Sequence, residues 1–349
     1  MIRTRRDFLK LAGLTAASAG WGCAPASSSS SSASWSSRDL EALRSIASSN
    51  GARGWAAWQG SRQVAAWQDG SRGPSLSITK SIAALAATRA AGEGWLDPSE
   101  RVCDTLPEWR SDPQKSRITV LMLLQQTSGL EAGVIPLYRN QPVDKGRAAV
   151  ALRCVDSPGT VFRYGPGHWE TLAEVMRRKL SHRGETLPAF MNRAVMRPVG
   201  LSPWNWRADR GNNPYFSTGT QLDIRELGRL GRTISGLLAG KNHDGFSAGE
   251  FVRLTRPSSV NPMFGGGLWR NTRAGRPGAV AIQVERNIDD PRPASFWNQA
   301  CLSNHQPPGF VALIGSGGRR VYLWPDQDRR IARLGSSPSW SDAALLARV

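Results

Sequence analysis

A serine and a lysine three residues apart, Ser77 and Lys80, are the residues of this sequence best suited to nucleophilic chemistry. On a helix, residues i and i+3 share one face with their Cβ atoms about 5–6 Å apart, so the Lys80 amine can reach the Ser77 hydroxyl. A serine hydroxyl becomes an effective nucleophile when a neighbouring base takes its proton. A lysine can be that base if burial or nearby cations lower its pKa. The spacing predicts Ser77 as a nucleophile and Lys80 as its activating base.

The helix that carries this pair is predicted to lie inside the protein. Ile78, Ile82 and Leu85 share one face, and the alanines between them allow neighbouring elements to pack closely. The pair stands where the helix would begin, near the positive end of the helix dipole. The alternative is a chance Ser-x-x-Lys on a surface helix. Against that alternative, the chain has six lysines, and only Lys80 follows a serine by three residues.

Three stretches resemble the serine β-lactamase-related family: SITKS at residues 77–81, GWLDP at 94–98 and ITVLMLLQQTSGL at 118–130. The resemblance is to the branch that holds class C β-lactamases, D-Ala-D-Ala carboxypeptidases, related esterases and 6-aminohexanoate-oligomer hydrolases. Ser-x-x-Lys is the nucleophile motif of penicillin-recognising enzymes. The resemblance implies a serine hydrolase that forms an acyl-enzyme on Ser77, releases it with water and needs no cofactor.

The resemblance also implies a catalytic role for Tyr164. This tyrosine stands in the loop FRYGPGHW, residues 162–169, where the family usually has Tyr-x-Asn and the tyrosine relays the proton of the nucleophile. A tyrosinate beside a lysine ammonium can act as a base because each charge stabilises the other. Pro166 replaces the asparagine, whose amide would hold the acyl amide group of a substrate. That change bears on substrate class more than on chemistry. The alternative is a loop tyrosine with a packing role.

The third element of the family is Lys-Thr-Gly or His-x-Gly on a strand beside the site. Its best match here is Gly315-Ser316-Gly317-Gly318, which lacks the basic residue. The resemblance implies a substrate-binding turn in which Ser316 offers a hydroxyl. It also implies an oxyanion hole made by the N–H groups of Ser77 and Gly318, with Gly317 allowing close backbone approach. The alternative is an ordinary glycine turn in a hairpin.

Residues 1–36 are predicted to be an export signal with a serine-rich linker, followed by the hydrolase domain at 37–349. Arg5 and Arg6 stand before Phe-Leu-Lys and match a twin-arginine signal, and the apolar run that follows is too short to span a membrane. This predicts export to the periplasm or cell envelope. Cys23 resembles a lipoprotein attachment site, although the residues before it depart from the usual pattern. The alternative to a lipid anchor is a plain cleaved signal.

The composition argues against several other classes of function. The formal charge of +18 comes mostly from arginine and favours anionic surroundings, such as cell-envelope polymers or lipid head groups. The arginines are scattered and no binding motif organises them, so a nucleic-acid partner is not expected.

The cysteines and histidines do not predict a metal site. Cys103, Cys154 and Cys301 are too widely spaced for a metal knuckle and odd in number, so free thiols are predicted. No H-x-H or H-E-x-x-H spacing is present. The four histidines are predicted to be surface or loop residues: His168, His182, His243 and His305.

Hydrophobic period and turn residues predict an α+β fold with the β-lactamase/transpeptidase-like arrangement. An antiparallel sheet is made from both ends of the chain and flanked by helices, with a mainly helical subdomain at roughly 95–245. The predicted strands are 54–59, 62–67, 310–314, 321–324 and 329–334. The predicted helices include 38–50 with Ser37 as its cap, 168–180, 187–196, 222–238 and 341–348.

These features together predict an exported serine hydrolase acting on a small-molecule ester or amide. Two alternatives remain open: a catalytically silent envelope-binding protein, and a peptidoglycan D-Ala-D-Ala carboxypeptidase or β-lactamase. Pro166 and Gly315 remove two polar contacts for a substrate that bears an acylamido group and a carboxylate. Small esters are therefore predicted to be better substrates than β-lactams.

Overall fold

The central sheet takes its strands from both ends of the chain, as the sequence predicts. The structure, a computed structural model, describes residues 34–49, 51–202 and 206–349. The strands are β1 Ala52–Gln59, β2 Arg62–Trp67, β3 Arg72–Pro74, β4 Gln221–Asp223, β5 Phe264–Gly265, β6 Leu268–Arg270, β7 Val280–Ala281, β8 Ala300–Cys301, β9 Val311–Gly315, β10 Arg319–Trp324 and β11 Arg329–Gly335. Seven strands form one sheet in the order β2-β1-β11-β10-β9-β6-β5, with every neighbouring pair antiparallel.

The helices flank this sheet, which confirms the predicted α+β class. They are α1 Ser37–Ala47, α2 Thr79–Gly92, α3 Val120–Leu124, α4 Lys145–Val150, α5 Gly167–Ser181, α6 Leu187–Met191, α7 Arg197–Val199, α8 Ile224–Leu238, α9 Ala248–Leu254, α10 Ala294–Gln299 and α11 Asp342–Leu346. Strand β3 pairs with β4 and β7 pairs with β8 outside the main sheet. None of the helices in the described ranges has the length and apolar character needed to cross a bilayer.

Several elements differ from the predictions, two of them for clear local reasons. Helix α1 is capped by Ser36 and not by Ser37, because the Ser36 hydroxyl accepts the Asp39 N–H at 3.1 Å and the Asp39 carboxylate accepts the Ser36 N–H at 2.9 Å. Strands β5 and β6, at the far edge of the sheet, were not predicted. They contain two and three residues around a glycine turn, which is too short for an alternating pattern to be visible.

Helix α2 lies in the interior, as predicted from its apolar face. Eleven of its fourteen residues are buried. Its small side chains let the turn between β5 and β6 approach, and the Ser81 hydroxyl donates to the Gly267 carbonyl at 3.0 Å. The start of α2 is thereby fixed against one edge of the sheet. The predicted export signal and Cys23 lie outside the described residues.

Candidate active site

Ser77 lies in a 3-10 turn, Leu76–Ile78, that runs directly into α2. Leu76 has a φ of 49°, a left-handed conformation that costs a non-glycine residue about 1–3 kcal/mol. The turn is anchored by Ser75, whose hydroxyl donates to the Thr220 carbonyl at 3.1 Å. Ser77 is half-buried and lines a cavity of about 320 Å³. The backbone thus presents the hydroxyl to a space that a small substrate can enter.

Lys80 reaches the nucleophile directly. Its Nζ lies 3.0 Å from the Ser77 Oγ and donates to the Ser217 carbonyl at 2.9 Å. The side chain is 2 % exposed, and burial lowers the pKa of Lys80 to about 7, against an opposing attraction from Glu170. Near neutral pH a large fraction of Lys80 is therefore an uncharged amine, which is the form that can accept the proton of Ser77.

Tyr164 faces the same hydroxyl from the loop before α5. Gln126 holds this loop on both sides of the tyrosine: its carbonyl accepts the Arg163 N–H at 3.0 Å, and its side-chain oxygen accepts the Gly165 N–H at 2.8 Å. The Lys80 Nζ lies 4.9 Å from the centroid of the Tyr164 ring. The structure therefore brings Ser77, Lys80 and Tyr164 together.

The protonation states differ from the predicted tyrosinate and ammonium. Burial raises the pKa of Tyr164 to about 12, although a hydrogen bond with Ser77 opposes the shift. Burial also drives Lys80 toward its uncharged form, because removing either group from water penalises its charge. At neutral pH the geometry thus favours Lys80 as the base and Tyr164 as a phenol that can donate a proton.

Glu170 and Ser217 complete the surroundings of Lys80, and the sequence analysis missed both. The Glu170 carboxylate accepts the Ser217 N–H at 3.1 Å and the Phe216 N–H at 3.3 Å, and the Ser217 hydroxyl also bonds to it. Burial raises the pKa of Glu170, although the hydrogen bond from Ser217 opposes the shift. Acidic residues are common in the first turn of any helix, so nothing in the sequence distinguished Glu170.

The glycine turn of the third motif contributes one of its predicted residues to the cavity. Ser316 lines it together with Ser77. The Gly317 N–H instead donates to the Glu285 carboxylate at 2.7 Å. A Cβ on Gly318 would lie 2.8 Å from Trp340 atoms, so this residue packs against the C-terminal segment. In contrast to the prediction, Gly317 and Gly318 do not line the cavity, because the hairpin turns away from it after Ser316.

The two arginines after this turn do not replace the missing base of the third motif. Arg320 is fully buried and pairs with Asp342 at 2.7 Å and Glu285 at 2.6 Å. Arg319 donates to the Pro74 carbonyl at 2.7 Å and to the Ser316 carbonyl at 2.5 Å. Among the residues that line the Ser77 cavity, Lys80 and Asp289 are the ones of charged type.

His168 corrects a prediction, since it is neither on the surface nor in a loop. It is buried in the first turn of α5, with Nδ1 2.8 Å from the Ser128 hydroxyl and Nε2 2.7 Å from the Arg163 carbonyl. Burial lowers the pKa of His168 to about 4. The ring joins the segment after α3 to the loop that carries Tyr164, so its role is to support that loop.

No cluster of three or more acidic, histidine or cysteine side chains suited to a metal ion occurs in the ranges the structure covers. Cys103, Cys154 and Cys301 are free thiols, with Cys103 and Cys301 buried and Cys154 half-buried.

The chain belongs to the β-lactamase family, whose model matches residues 48–337. Solved structures with this fold include a candidate β-lactamase from Bacteroides dorei, with 14 % identity and a TM-score of 0.62 over 87 % of this chain and 92 % of that chain. A β-lactamase from Mycobacterium bovis has 18 % identity and a TM-score of 0.57 over 88 % and 96 % of the two chains.

A D-stereospecific amidohydrolase from Streptomyces sp. has 16 % identity and a TM-score of 0.59 over 89 % of this chain and 96 % of that chain. At such identities the likeness shows a shared fold. No match to this chain was found among curated proteins.

Proposed function

We propose that this protein is a serine hydrolase that cleaves ester or amide bonds through an acyl-enzyme on Ser77. The observation that carries the proposal is the buried Lys80 amine 3.0 Å from the Ser77 hydroxyl, with a pKa of about 7. Membership of the β-lactamase family and the fold shared with an amidohydrolase support the same reaction class.

In the proposed acylation step, the Ser77 Oγ attacks the substrate carbonyl carbon while its proton moves to the Lys80 amine. The carbonyl oxygen becomes an oxyanion, for which the Ser77 N–H is the proposed donor. The bond to the leaving group then breaks, and the Tyr164 phenol donates a proton to that group. The resulting tyrosinate recovers a proton from the Lys80 ammonium, which returns both side chains to their starting forms. Water repeats the sequence on the acyl-enzyme and releases the acid.

Covalent labelling tests the nucleophile. A fluorophosphonate probe should modify the wild-type protein, and mass spectrometry of its peptides should locate the adduct on Ser77. Ser77→Ala should abolish labelling, while Ser316→Ala, which removes the other serine of the cavity, should keep the adduct on Ser77. Lys80→Ala and Tyr164→Phe should each slow labelling by orders of magnitude, with non-additive effects because both act on one proton path. An adduct that persists in Ser77→Ala would refute the proposal.

Substrate class is the second part of the proposal. Pro166 offers no amide, Gly315 no charge, and Arg319 and Arg320 are bonded elsewhere. Two missing polar contacts, each worth about 1–3 kcal/mol when buried, lower turnover by roughly two to four decades. We expect measurable hydrolysis of small p-nitrophenyl esters and poor turnover of nitrocefin and D-Ala-D-Ala peptides. Efficient β-lactam turnover would instead favour the carboxypeptidase or β-lactamase alternative, and no turnover with no labelling would favour a silent binding protein.

Export is a further proposal, carried by the leader sequence alone. Replacing Arg5 and Arg6 with lysine keeps the charge but removes the twin-arginine motif, so the precursor should remain in the cytoplasm. Unchanged secretion would contradict the pathway. Labelling with a radioactive fatty acid in wild type and Cys23→Ala distinguishes a lipid anchor at an anionic envelope surface from a plain cleaved signal.

A further inference from the structure

A second cavity of about 290 Å³ adjoins the Ser77 cavity. Leu76, Tyr138 and Thr218 line both spaces, so the two lie side by side along one cleft. The remaining walls of the second cavity combine two cationic side chains with polar and aromatic ones: Gln141, Lys145, Arg207 and Tyr215. A substrate held at Ser77 can therefore extend into the second cavity. That cavity is lined by two cationic side chains, whereas the Ser77 cavity contains the acidic Asp289.

Lys145 is the buried charge of this second cavity. It is 5 % exposed at the start of α4. Its Nζ lies 3.4 Å from the centroid of the Tyr215 ring and 5.1 Å from that of Tyr138. Within the described part of the chain, this Nζ makes no hydrogen bond. An ammonium has three N–H donors, and Lys145 lines the cavity, so a ligand that enters it can supply the oxygen acceptor.

The two acidic groups that attract the Lys145 ammonium, Asp209 and Glu170, already accept hydrogen bonds from other donors. Asp209 accepts the backbone N–H groups of Lys145, Gly211 and Asn213, each at 2.9 Å. Glu170 accepts the hydrogen bonds of Ser217 and Phe216 described above. Burial lowers the pKa of Lys145, although attraction to Glu170 opposes the shift. A carboxylate arriving from outside would supply the acceptor that neither acidic residue provides.

Arg207 supplies a second positive charge at the mouth of the cavity. Its side chain is exposed, and its guanidinium carbon lies 6.0 Å from the centroid of the Tyr215 ring. In the ranges that the structure describes, the guanidinium has no hydrogen bond and no ion pair. Lys145 and Arg207 are therefore two cations beside the Tyr215 ring.

We propose that the second cavity binds a carboxylate of the substrate, with Lys145 as its direct partner and Arg207 at the entrance. The proposal rests on the proposed function and narrows it to esters or amides in which one arm ends in a carboxylate. That arm points away from Asp289, where a second negative charge would be repelled. Lys145 and Arg207 would thus select substrates that place a negative charge in the second cavity, which the third motif does not line.

Paired substrates test the selectivity. In the first pair, the p-nitrophenyl half-ester of adipic acid is compared with its methyl ester, so the carboxylate lies in the acyl group. In the second pair, the acetate ester of 4-hydroxybenzoate is compared with that of methyl 4-hydroxybenzoate, so the carboxylate lies in the leaving group. In wild type, kcat/KM should favour the charged member of one pair. Lys145→Met should reduce this preference roughly ten- to a hundredfold, since a hydrogen bond to a charged group is lost. Lys241→Met, which removes an exposed lysine beside a different cavity, should leave it unchanged.

Binding to the Ser77→Ala variant gives a readout that does not depend on turnover. Calorimetry with the monoanilide of adipic acid should show binding that is weaker for its methyl ester and weaker again after Lys145→Met. If Lys145→Met fails to fold, Arg207→Gln alters an exposed side chain and should weaken binding about two- to fivefold. Normal labelling of Ser77 without any charge preference would overturn the carboxylate site alone. Lys145-dependent binding without labelling of Ser77 would contradict the proposed function and support the site.

Discussion

Lys80 shows at the level of one residue how burial creates reactivity. A lysine in water is protonated at neutral pH, whereas burial lowers the pKa of Lys80 to about 7. Glu170 limits this shift, because its carboxylate favours the charged ammonium. Ser217 lies between the two: its N–H is bonded to Glu170 and its carbonyl to Lys80. Glu170 is thus a positioning residue that also adjusts the pKa of the base.

The pH dependence of acylation should report this arrangement. Below pH about 7, Lys80 is protonated and cannot accept the proton of Ser77, so kcat/KM for p-nitrophenyl acetate should fall tenfold per pH unit. Glu170→Gln removes the charge that raises the pKa of Lys80, so the midpoint should move to lower pH. Glu174→Gln, one turn later on α5 and paired with Arg177 and Arg178, should leave the midpoint in place. A midpoint that moved upward in Glu170→Gln would contradict the assigned role.

At the level of elements, the start of α2 is positioned by the turn between β5 and β6. Gly267 has a φ of +77°, and a Cβ there would lie 2.6 Å from the Ser81 backbone nitrogen and 2.9 Å from the Lys80 Cβ. No side chain fits between the turn and the helix. The glycine therefore permits the sheet edge to press directly against the turn of helix that carries the base.

Gly267→Ala should displace α2 and lower both activity and stability, because the added Cβ meets the helix backbone and the positive φ disfavours alanine. A displacement of a few tenths of an ångström between Ser77, Lys80 and Tyr164 is expected to reduce the labelling rate by roughly tenfold or more. Gly236→Ala provides the matched control, since it lies within α8 with nothing within 4 Å of the added Cβ, and should stabilise the protein by about 0.4–1 kcal/mol. Labelling kinetics and urea unfolding measure the two effects. Equal labelling rates in the two variants would show that α2 tolerates the contact.

At the level of the whole molecule, buried arginines connect the central sheet to the helices around it. Arg333 of β11 donates to the Ala47 carbonyl at the end of α1 at 3.1 Å. Arg330 donates to the Gly228 carbonyl in α8 at 3.0 Å. Arg320 of β10 pairs with Asp342 in α11 at 2.7 Å. Part of the formal charge of +18 is therefore inside the protein, so the formal value overstates the charge available to an anionic partner.

Breaking the Arg320–Asp342 pair should destabilise the whole domain. Asp342→Asn removes one of the two carboxylates that pair with the buried Arg320, the other being Glu285, and breaking a buried ion pair costs up to about 3–5 kcal/mol. Asp104→Asn, at an exposed ion pair with Arg101, should cost at most about 1 kcal/mol. Attraction to Arg320 holds the pKa of Asp342 below its usual value despite burial, so this contribution is present above pH about 4 and lost as the pH falls. Urea unfolding at pH 7 and at about pH 3 measures both effects, and equal losses in the two variants would be contrary to expectation.

The sequence by itself determined the local features of the site and most of the sheet. Ser77 and Lys80 are three residues apart, so their contact follows from helical geometry. The strands from 54 to 67 and from 310 to 334 have apolar runs and turn residues long enough to be recognised, and the structure confirms them. The two-residue and three-residue strands β5 and β6 carry no such pattern and form because β6 pairs with β9 and β5 pairs with β6.

Only the tertiary structure decided which residues tune and extend the site. Glu170 and Ser217 lie far from Lys80 in the chain, and burial is a property of the assembled core. The same burial makes Lys80 the uncharged base and keeps Tyr164 a phenol. Gly317 and Gly318, which the sequence analysis placed in the site, lie outside the cavity. Gly317 donates to Glu285 and Gly318 packs against Trp340. Protonation states and partners of this kind depend on desolvation and on long-range packing, which no local pattern encodes.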